Sequence, residues 1–323
     1  MNYRHIYHAG NACDVVKHAV LTLLIEHLRE KEKGFAVLDT HAGAGLYDLS
    51  DERAQKTKEA EEGILRLLSA LPIPELAAYY RTMRELNKQQ NFLPLKGRDR
   101  EGGEWLGADS DNSEFCPSGT PPPLTPPSRG GELNRFYPGS PVLIRRLMRS
   151  QDRLMACELH PKDVHVLKRY FHDDKQTQIH HRDGYEALKA LIPPTEKRGL
   201  VLIDPPFEKP DEFDVLAEAL RKLHERWQQG QAVVWYPIKE RPAIWRFHEA
   251  LAAMKLPRVL CAEFTQYPEI RHDRLNGCGL ILVNPPWRLD DQLKQLFPAL
   301  HEALESAESG TKINWLAVED PSR

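Results

Sequence analysis

Asp204-Pro205-Pro206-Phe207 joins a carboxylate, two prolines and an aromatic ring directly after residues 199–203, an apolar run that reads as a buried strand. Open α/β sheets keep their ligand crevices at strand carboxyl ends. There the tetrapeptide suits a flat base held by its exocyclic amine. The Asp204 carboxylate and the Pro205 carbonyl can each accept one N–H of that amine. The prolines fix φ and offer no competing N–H. Phe207 supplies a stacking face. A rigid proline turn after a core strand explains the same four residues without a ligand, and the tetrapeptide alone does not separate the two readings.

Three other strand ends carry comparable groups. Residues 35–38 read as a strand leading into His41-Ala42-Gly43-Ala44-Gly45, whose glycines let the backbone turn tightly and approach a cofactor. Glu158 ends the strand expected at 153–158, where a carboxylate fits a ribose hydroxyl pair. Asp183-Gly184 follows the strand at 178–181, and its carboxylate can accept from an adenine amino group. Each group alone also fits a tight turn or a surface acid. One such group on each successive strand end is much harder to obtain by chance. A second proline pair, Asn284-Pro285-Pro286-Trp287, repeats the pattern. It follows a late strand expected at the sheet margin and is read as structural.

The elements that must hold these groups alternate. Residues 11–33 predict a helix capped by Asn11, with Val16, Val20, Leu23, Leu24 and Leu28 on its apolar face and Gly34 as its stop. Helices are expected at 141–149, 161–172, 185–192, 212–228, 241–254 and 289–305. Further strands fall at 200–203, 232–235, 258–264 and 279–283, the last two as antiparallel neighbours near the sheet edge. This alternation predicts an α/β, doubly wound sheet. The chain from Gly45 to Glu158 is far longer than the ~30 residues of a βαβ unit. Residues 50–95 fill part of that interval as a small helical subdomain, interrupted by Pro72 and Pro74. Residues 96–135 fill the rest with a Pro/Gly-rich tract too poor in apolar residues to offset its ordering entropy. It reads as a disordered insertion, with a proline-rich partner ligand as the alternative. Residues 1–49 and 136–323 make the core.

With 323 residues, 41% of them hydrophobic and 28% charged, the composition is that of an ordinary globular chain. No apolar run approaches the ~20 residues needed to cross a bilayer, and the first residues lack a signal-peptide core. Five cysteines without a CxxC pair argue for reduced thiols in a cytoplasmic protein. No metal is expected, because His160, His165, His180 and His181 lack companion ligands. The net charge of −3 excludes a chain coated in positive charge. Nucleic-acid binding would need a local patch, such as Arg145/Arg146/Arg149 or Arg81/Arg84/Lys88, each of which also reads as a solvated helix face.

These motifs resemble those of class I S-adenosylmethionine-dependent methyltransferases with their Rossmann-like sheet. More closely they resemble the RlmJ family, which methylates adenine N6 in 23S ribosomal RNA. The resemblance rests on Tyr3-Arg4-His5, His8-Ala9-Gly10-Asn11, Asp14-Val15-Val16-Lys17-His18, Leu38–Gly45, Tyr137–Pro141, Glu158–Pro161, Asp204–Phe207, Trp235-Tyr236-Pro237 and Asn284–Trp287, and it spans nearly the whole chain. It implies S-adenosyl-L-methionine as cofactor, surrounded by His18, His41, Ser140, Glu158, Asp183, Gly184 and Asp204. Asp204 would be the catalytic residue. Tyr3, Pro205 and Phe207 would meet an unstacked adenine, and Lys17 would serve the cofactor carboxylate or the RNA. A monomer acting on 23S ribosomal RNA, with no membrane partner, is the expectation. Two departures stand out. The family usually has tyrosine where Phe207 stands, and it does not need the 96–134 tract. The same clamp chemistry would serve a DNA adenine-N6 or cytosine-N4 methyltransferase, and a non-catalytic RNA-binding homologue could keep the fold.

Overall fold

The computed structural model describes residues 4–92, 134–254, 256–267, 275–305 and 310–318. Tyr3 and nearly all of the 96–135 tract lie outside the described residues. From the amino end, α1 (Ala12–Arg29) leads into β1 (Ala36–Asp39) and a short strand β2 (Leu46–Asp48). Four helices follow: α2 (Glu52–Thr57), α3 (Glu59–Glu62), α4 (Ile64–Ser69) and α5 (Ala77–Phe92). Next come β3 (Phe136–Pro138), α6 (Ser140–Leu147), β4 (Arg153–Glu158), α7 (Pro161–Tyr170), β5 (Thr177–His181), α8 (Gly184–Leu191) and β6 (Gly199–Ile203). The chain continues through α9 (Glu212–Arg226), β7 (Gln231–Ile238), α10 (Arg241–Ala253), β8 (Val259–Thr265), β9 (Gly277–Val283), α11 (Leu289–Ala303) and β10 (Thr311–Ala317).

The main sheet has the order β10-β8-β9-β7-β6-β1-β4-β5. Strands β7, β6, β1, β4 and β5 run parallel, whereas β9, β8 and β10 pair antiparallel. This is the α/β sheet that the alternation predicts, with an antiparallel margin and β10 added at the edge. Every residue of β1 and β6 is buried, as expected for central parallel strands covered on both faces. Helices α1, α6, α7 and α11 pack on one face with the helices inserted between β2 and β3. Helices α8, α9 and α10 pack on the other. The inserted helices share that first core, because Ile64, Leu67, Tyr79 and Leu86 belong to the same cluster as Val20, Leu24 and Leu202. Full burial of each such side chain stabilises by about 1.5–3 kcal/mol.

Several boundaries differ from the sequence expectation. Helix α1 ends at Arg29, short of Gly34. The β2–β3 ribbon and the edge strand β10 have no clear sequence signature, since three residues give no periodicity and β10 mixes polar and apolar positions. Strand β9 is not marginal: it is flanked by β7 and β8, and β10 takes the edge. No helix among the described residues is long and apolar enough to cross a membrane.

Candidate active site

A cavity of about 640 Å³ opens at the carboxyl edge of the parallel strands, within the size range of small-molecule sites. His41, Ser140, Glu158, Asp183, Gly184 and Asp204 all line it, together with Pro205, Phe207 and Lys17. These residues come from the ends of β1, β4, β5 and β6, from the start of α6 and from α1. The parallel register aligns the four strand ends on one edge.

The turn after β1 shapes one half. Gly43 has φ +63, and its N–H donates to Glu158 Oε2 at 2.7 Å. A Cβ there would lie 2.3 Å from the Tyr47 hydroxyl. His160 N–H donates to the other Glu158 oxygen at 2.6 Å. Glu158 is thus fixed by two backbone donors, and burial pushes its pKa up against them. Asp183 caps α8 through Oδ1, which accepts from the Tyr185 and Glu186 amides. Gly184 begins that helix against Thr40, whose carbonyl oxygen would be 2.3 Å from an added Cβ. His41 stacks edge-on against Tyr185, and burial lowers its pKa to about 4, so its imidazole is neutral.

The other half centres on Asp204. Helix α1 is capped by Asn11, whose Oδ1 accepts from Asp14 N–H at 2.8 Å, and it is buried nearly all round, charges included. Lys17 Nζ donates to Asp14 Oδ1 at 2.7 Å and to Asp204 Oδ2 at 2.6 Å. Asp14 Oδ2 also bonds His5 Nε2 at 2.8 Å. Burial opposes charge on this chain of groups, but the partners win. Asp14 is held well below the usual carboxylate range by His5 and Lys17, and Lys17 is held well above the usual lysine value by Asp14 and Asp204. Asp204 Oδ1 has no hydrogen-bond partner among the described residues. Phe207 sits edge-on against Phe213 and Trp235, with centroids 5.0 and 6.1 Å apart. Its φ of +50 is unusual for a bulky residue.

His18 stands apart from the other sequence candidates. It is fully buried and is not among the cavity-lining residues. Its ring stacks on Tyr137, Nδ1 bonds the Tyr137 hydroxyl at 2.7 Å, and burial lowers its pKa to about 3. Asp39 was not singled out from sequence. It is buried at the end of β1 and accepts from Ser140 Oγ at 2.7 Å, and burial raises its pKa to about 7 against that bond. The acid–lysine pairing on α1 was also missed, although Asp14 and Lys17 stand at the i,i+3 spacing that brings helical side chains together.

The structure pairs one candidate basic patch internally. Arg145 bonds Asp174, Arg146 bonds Gln89, and Arg149 bonds Asp152 and the carbonyls of Arg29 and Lys31. Arg81, Arg84 and Lys88 are exposed along α5. Away from the cavity, His248, Cys261 and Glu263 bring ligand-type atoms within 4.8 Å of one another. The Tyr236 hydroxyl bonds all three, and Arg241 pairs with Glu263 at 2.6 Å, so this cluster is a paired polar network.

The family described as "Ribosomal RNA large subunit methyltransferase D, RlmJ" matches residues 32–97 and 128–317. The chain belongs to that family. The interval between the two matched segments falls inside the Pro/Gly-rich tract, as expected of an addition to the family plan. Proteins named ribosomal RNA large subunit methyltransferase J from Haemophilus influenzae and Escherichia coli are each 35% identical over 321 residues, covering 99% of this chain and all of theirs. A crystal structure of a Legionella pneumophila protein superposes with a TM-score of 0.76 at 29% identity, covering 95% of this chain and 98% of that one.

Proposed function

We propose that the protein transfers a methyl group from S-adenosyl-L-methionine to the N6 amine of an adenine in 23S ribosomal RNA. The observation that carries this reading is the Asp204 carboxylate at the cavity, with Oδ2 tied to Lys17 and Oδ1 without a hydrogen-bond partner among the described residues, beside the Pro205-Pro206-Phe207 turn. The reading takes its RNA from the relatives' names, since the clamp alone would also serve DNA.

The residues present suit the cofactor. Gly43 and Gly184 let the lining backbone pack closely, because an added Cβ would strike the Tyr47 hydroxyl or the Thr40 carbonyl. Glu158 and Asp183 offer acceptors for ribose hydroxyls and an adenine amino group. Ser140, positioned by Asp39, and His41 complete the lining. His18 supports this half from behind, through Tyr137. When bound, S-adenosylmethionine supplies an electrophilic methyl group on a positively charged sulfur. The target amine is a poor nucleophile because its lone pair is delocalised into the ring. Asp204 Oδ1 and the Pro205 carbonyl accept its two N–H groups and favour pyramidalisation. Positioning of this kind accounts for much of the acceleration of a direct displacement. Positive charge develops on the amine, and the Asp204 carboxylate stabilises it; the donor would leave as a neutral thioether and the surplus N6 proton would pass to solvent. Lys17 fixes the carboxylate rotamer. Phe207 stacks on the base, which must leave its own stack to reach the site. Tyr3, outside the described residues, is assigned to the base on the family resemblance alone.

Incubation with labelled S-adenosylmethionine and either protein-free 23S RNA or duplex DNA tests the proposal. Label is expected in RNA as N6-methyladenine, and Asp204→Ala is expected to abolish it with cofactor binding partly retained. Transfer to DNA alone overturns the RNA assignment. Unchanged cellular adenine methylation in an Asp204→Ala strain would indicate a non-catalytic RNA-binding protein.

A further inference from the structure

We propose that the outer half of the cavity is a phosphate subsite for the target nucleotide, with Lys239 as its cation. This rests on the nucleic-acid reading above and adds where the backbone of the substrate is held. Lys239 lines the same cavity as Asp204 and is exposed. Strand β7 lies beside β6 with Val234 level with Ile203, so Trp235 is level with Asp204. Four residues further on, at ~3.3 Å per residue, Lys239 lies roughly 13 Å along the strand direction. A base held by its amine at Asp204 directs the rest of its nucleotide away from that carboxylate, and a lysine on the neighbouring strand end can reach toward it.

Charge makes the assignment specific. A polyanion entering this cavity meets Glu59 and Glu62 on α3. Among the described lining residues, Lys17 is engaged by Asp14 and Asp204, His5 by Asp14 and His8 by Glu59. Among the described residues Lys239 has no ion-pair partner. Glu59 pushes the His8 pKa up and Lys239 opposes it, so the lysine's field reaches the outer wall. Phosphate contacts orient a nucleic acid without reading its sequence, which is what a base clamp needs from its neighbour.

The test compares wild type with Lys239→Ala, Lys239→Glu and Lys239→Arg, using a 23S RNA transcript. Lys239→Ala is expected to raise KM for RNA about tenfold, with kcat and S-adenosylmethionine affinity unchanged, and to flatten the log KM–log salt slope by about 0.7–0.9. Lys239→Glu should be worse, and Lys239→Arg should restore both. As competitors, 5′-AMP should bind wild type more tightly than adenosine, and Lys239→Ala should erase that preference. An unchanged KM and slope, or equal losses for AMP and adenosine, overturns the subsite. If wild type transfers no methyl group to RNA the functional reading fails, while the AMP preference still decides the subsite.

Discussion

Two proline-pair turns in this chain look alike in sequence and sit at opposite edges of the sheet. Asp204-Pro205-Pro206-Phe207 follows β6, a parallel strand whose carboxyl end opens on the cavity. Asn284-Pro285-Pro286-Trp287 follows β9, which runs antiparallel to β7, with Val283 beside Ala232 at the start of that strand. Its turn therefore lies on the opposite edge of the sheet. There the Asn284 amide donates to the Gln228 and Gly230 carbonyls at 2.7 and 2.9 Å, closing the turn that precedes β7. Asp204 instead meets a buried lysine and keeps one oxygen open. The aromatic residues differ as well. Phe207 packs among Phe213 and Trp235, whereas Trp287 is 80% exposed. Even the left-handed residue differs. It is Phe207 in the first turn and Asn284 in the second, both with φ +50. Asparagine adopts that conformation readily, whereas a bulky residue is strained by it. Positive φ is not confined to the cavity, since Lys58, Lys197, Arg288 and Glu305 adopt it as well.

The comparison breaks most visibly at Asp204. Asp204→Asn keeps the shape but removes the charge that faces Lys17 and the amine. Methyl transfer should fall by at least about 10²- to 10³-fold, while S-adenosylmethionine binding, measured by calorimetry, falls far less. A residual rate within threefold of wild type would reduce the first turn to the same structural status as the second. Next in size is Lys17→Met, which leaves two carboxylates facing each other in a buried site. Urea denaturation should register a loss of about 3–5 kcal/mol, accompanied by reduced activity in the folded fraction.

Asn284→Asp probes the other turn. It replaces two donated hydrogen bonds with a carboxylate facing two carbonyls, so stability should drop by about 1–3 kcal/mol. The kcat of folded enzyme should stay at the wild-type value, and a selective fall in kcat would mean that the far edge communicates with the cavity. Asp39→Asn gives a subtler pH signature. The folded state holds the Asp39 proton up to about pH 7, whereas an unfolded aspartate releases it near pH 4. Asp39 therefore costs stability progressively as pH rises from about 4 to 7, and the cost is constant above that. The asparagine variant should melt at least as high as wild type at pH 8, and its melting point should fall less between pH 5 and pH 8. Smallest of all, Trp287→Ala should stay within about 0.5 kcal/mol of wild type.

The cavity groups at the parallel strand ends were legible because a parallel sheet imposes a rule. Each strand's carboxyl end faces the same edge, so reading the residue after each apolar run finds His41, Glu158, Asp183 and Asp204. The rule fails for antiparallel strands, which is why the position first inferred for β9 was wrong. Its distinguishing property is direction, not closeness to an edge. Lys17 was found as a candidate but not as an ion-pair partner. Its helix supplies Asp14 locally, but Asp204 arrives from 187 residues away. Asp39 was hidden for a similar reason, since its partner Ser140 enters from beyond the helical insertion. His18 was implicated by family resemblance, and burial against Tyr137 places its ring behind the cavity wall.

Local patterning by itself determined the alternation of strands and helices, the α1 cap at Asn11, the chemistry offered at each strand end and, through its motifs, the family. These follow from hydrophobic period and backbone preference, which act over a few residues. Only the tertiary structure decided which proline turn faces the cavity and which charges neutralise one another. Strand direction and long-range burial set those outcomes, and neither leaves a mark within a single short segment of chain.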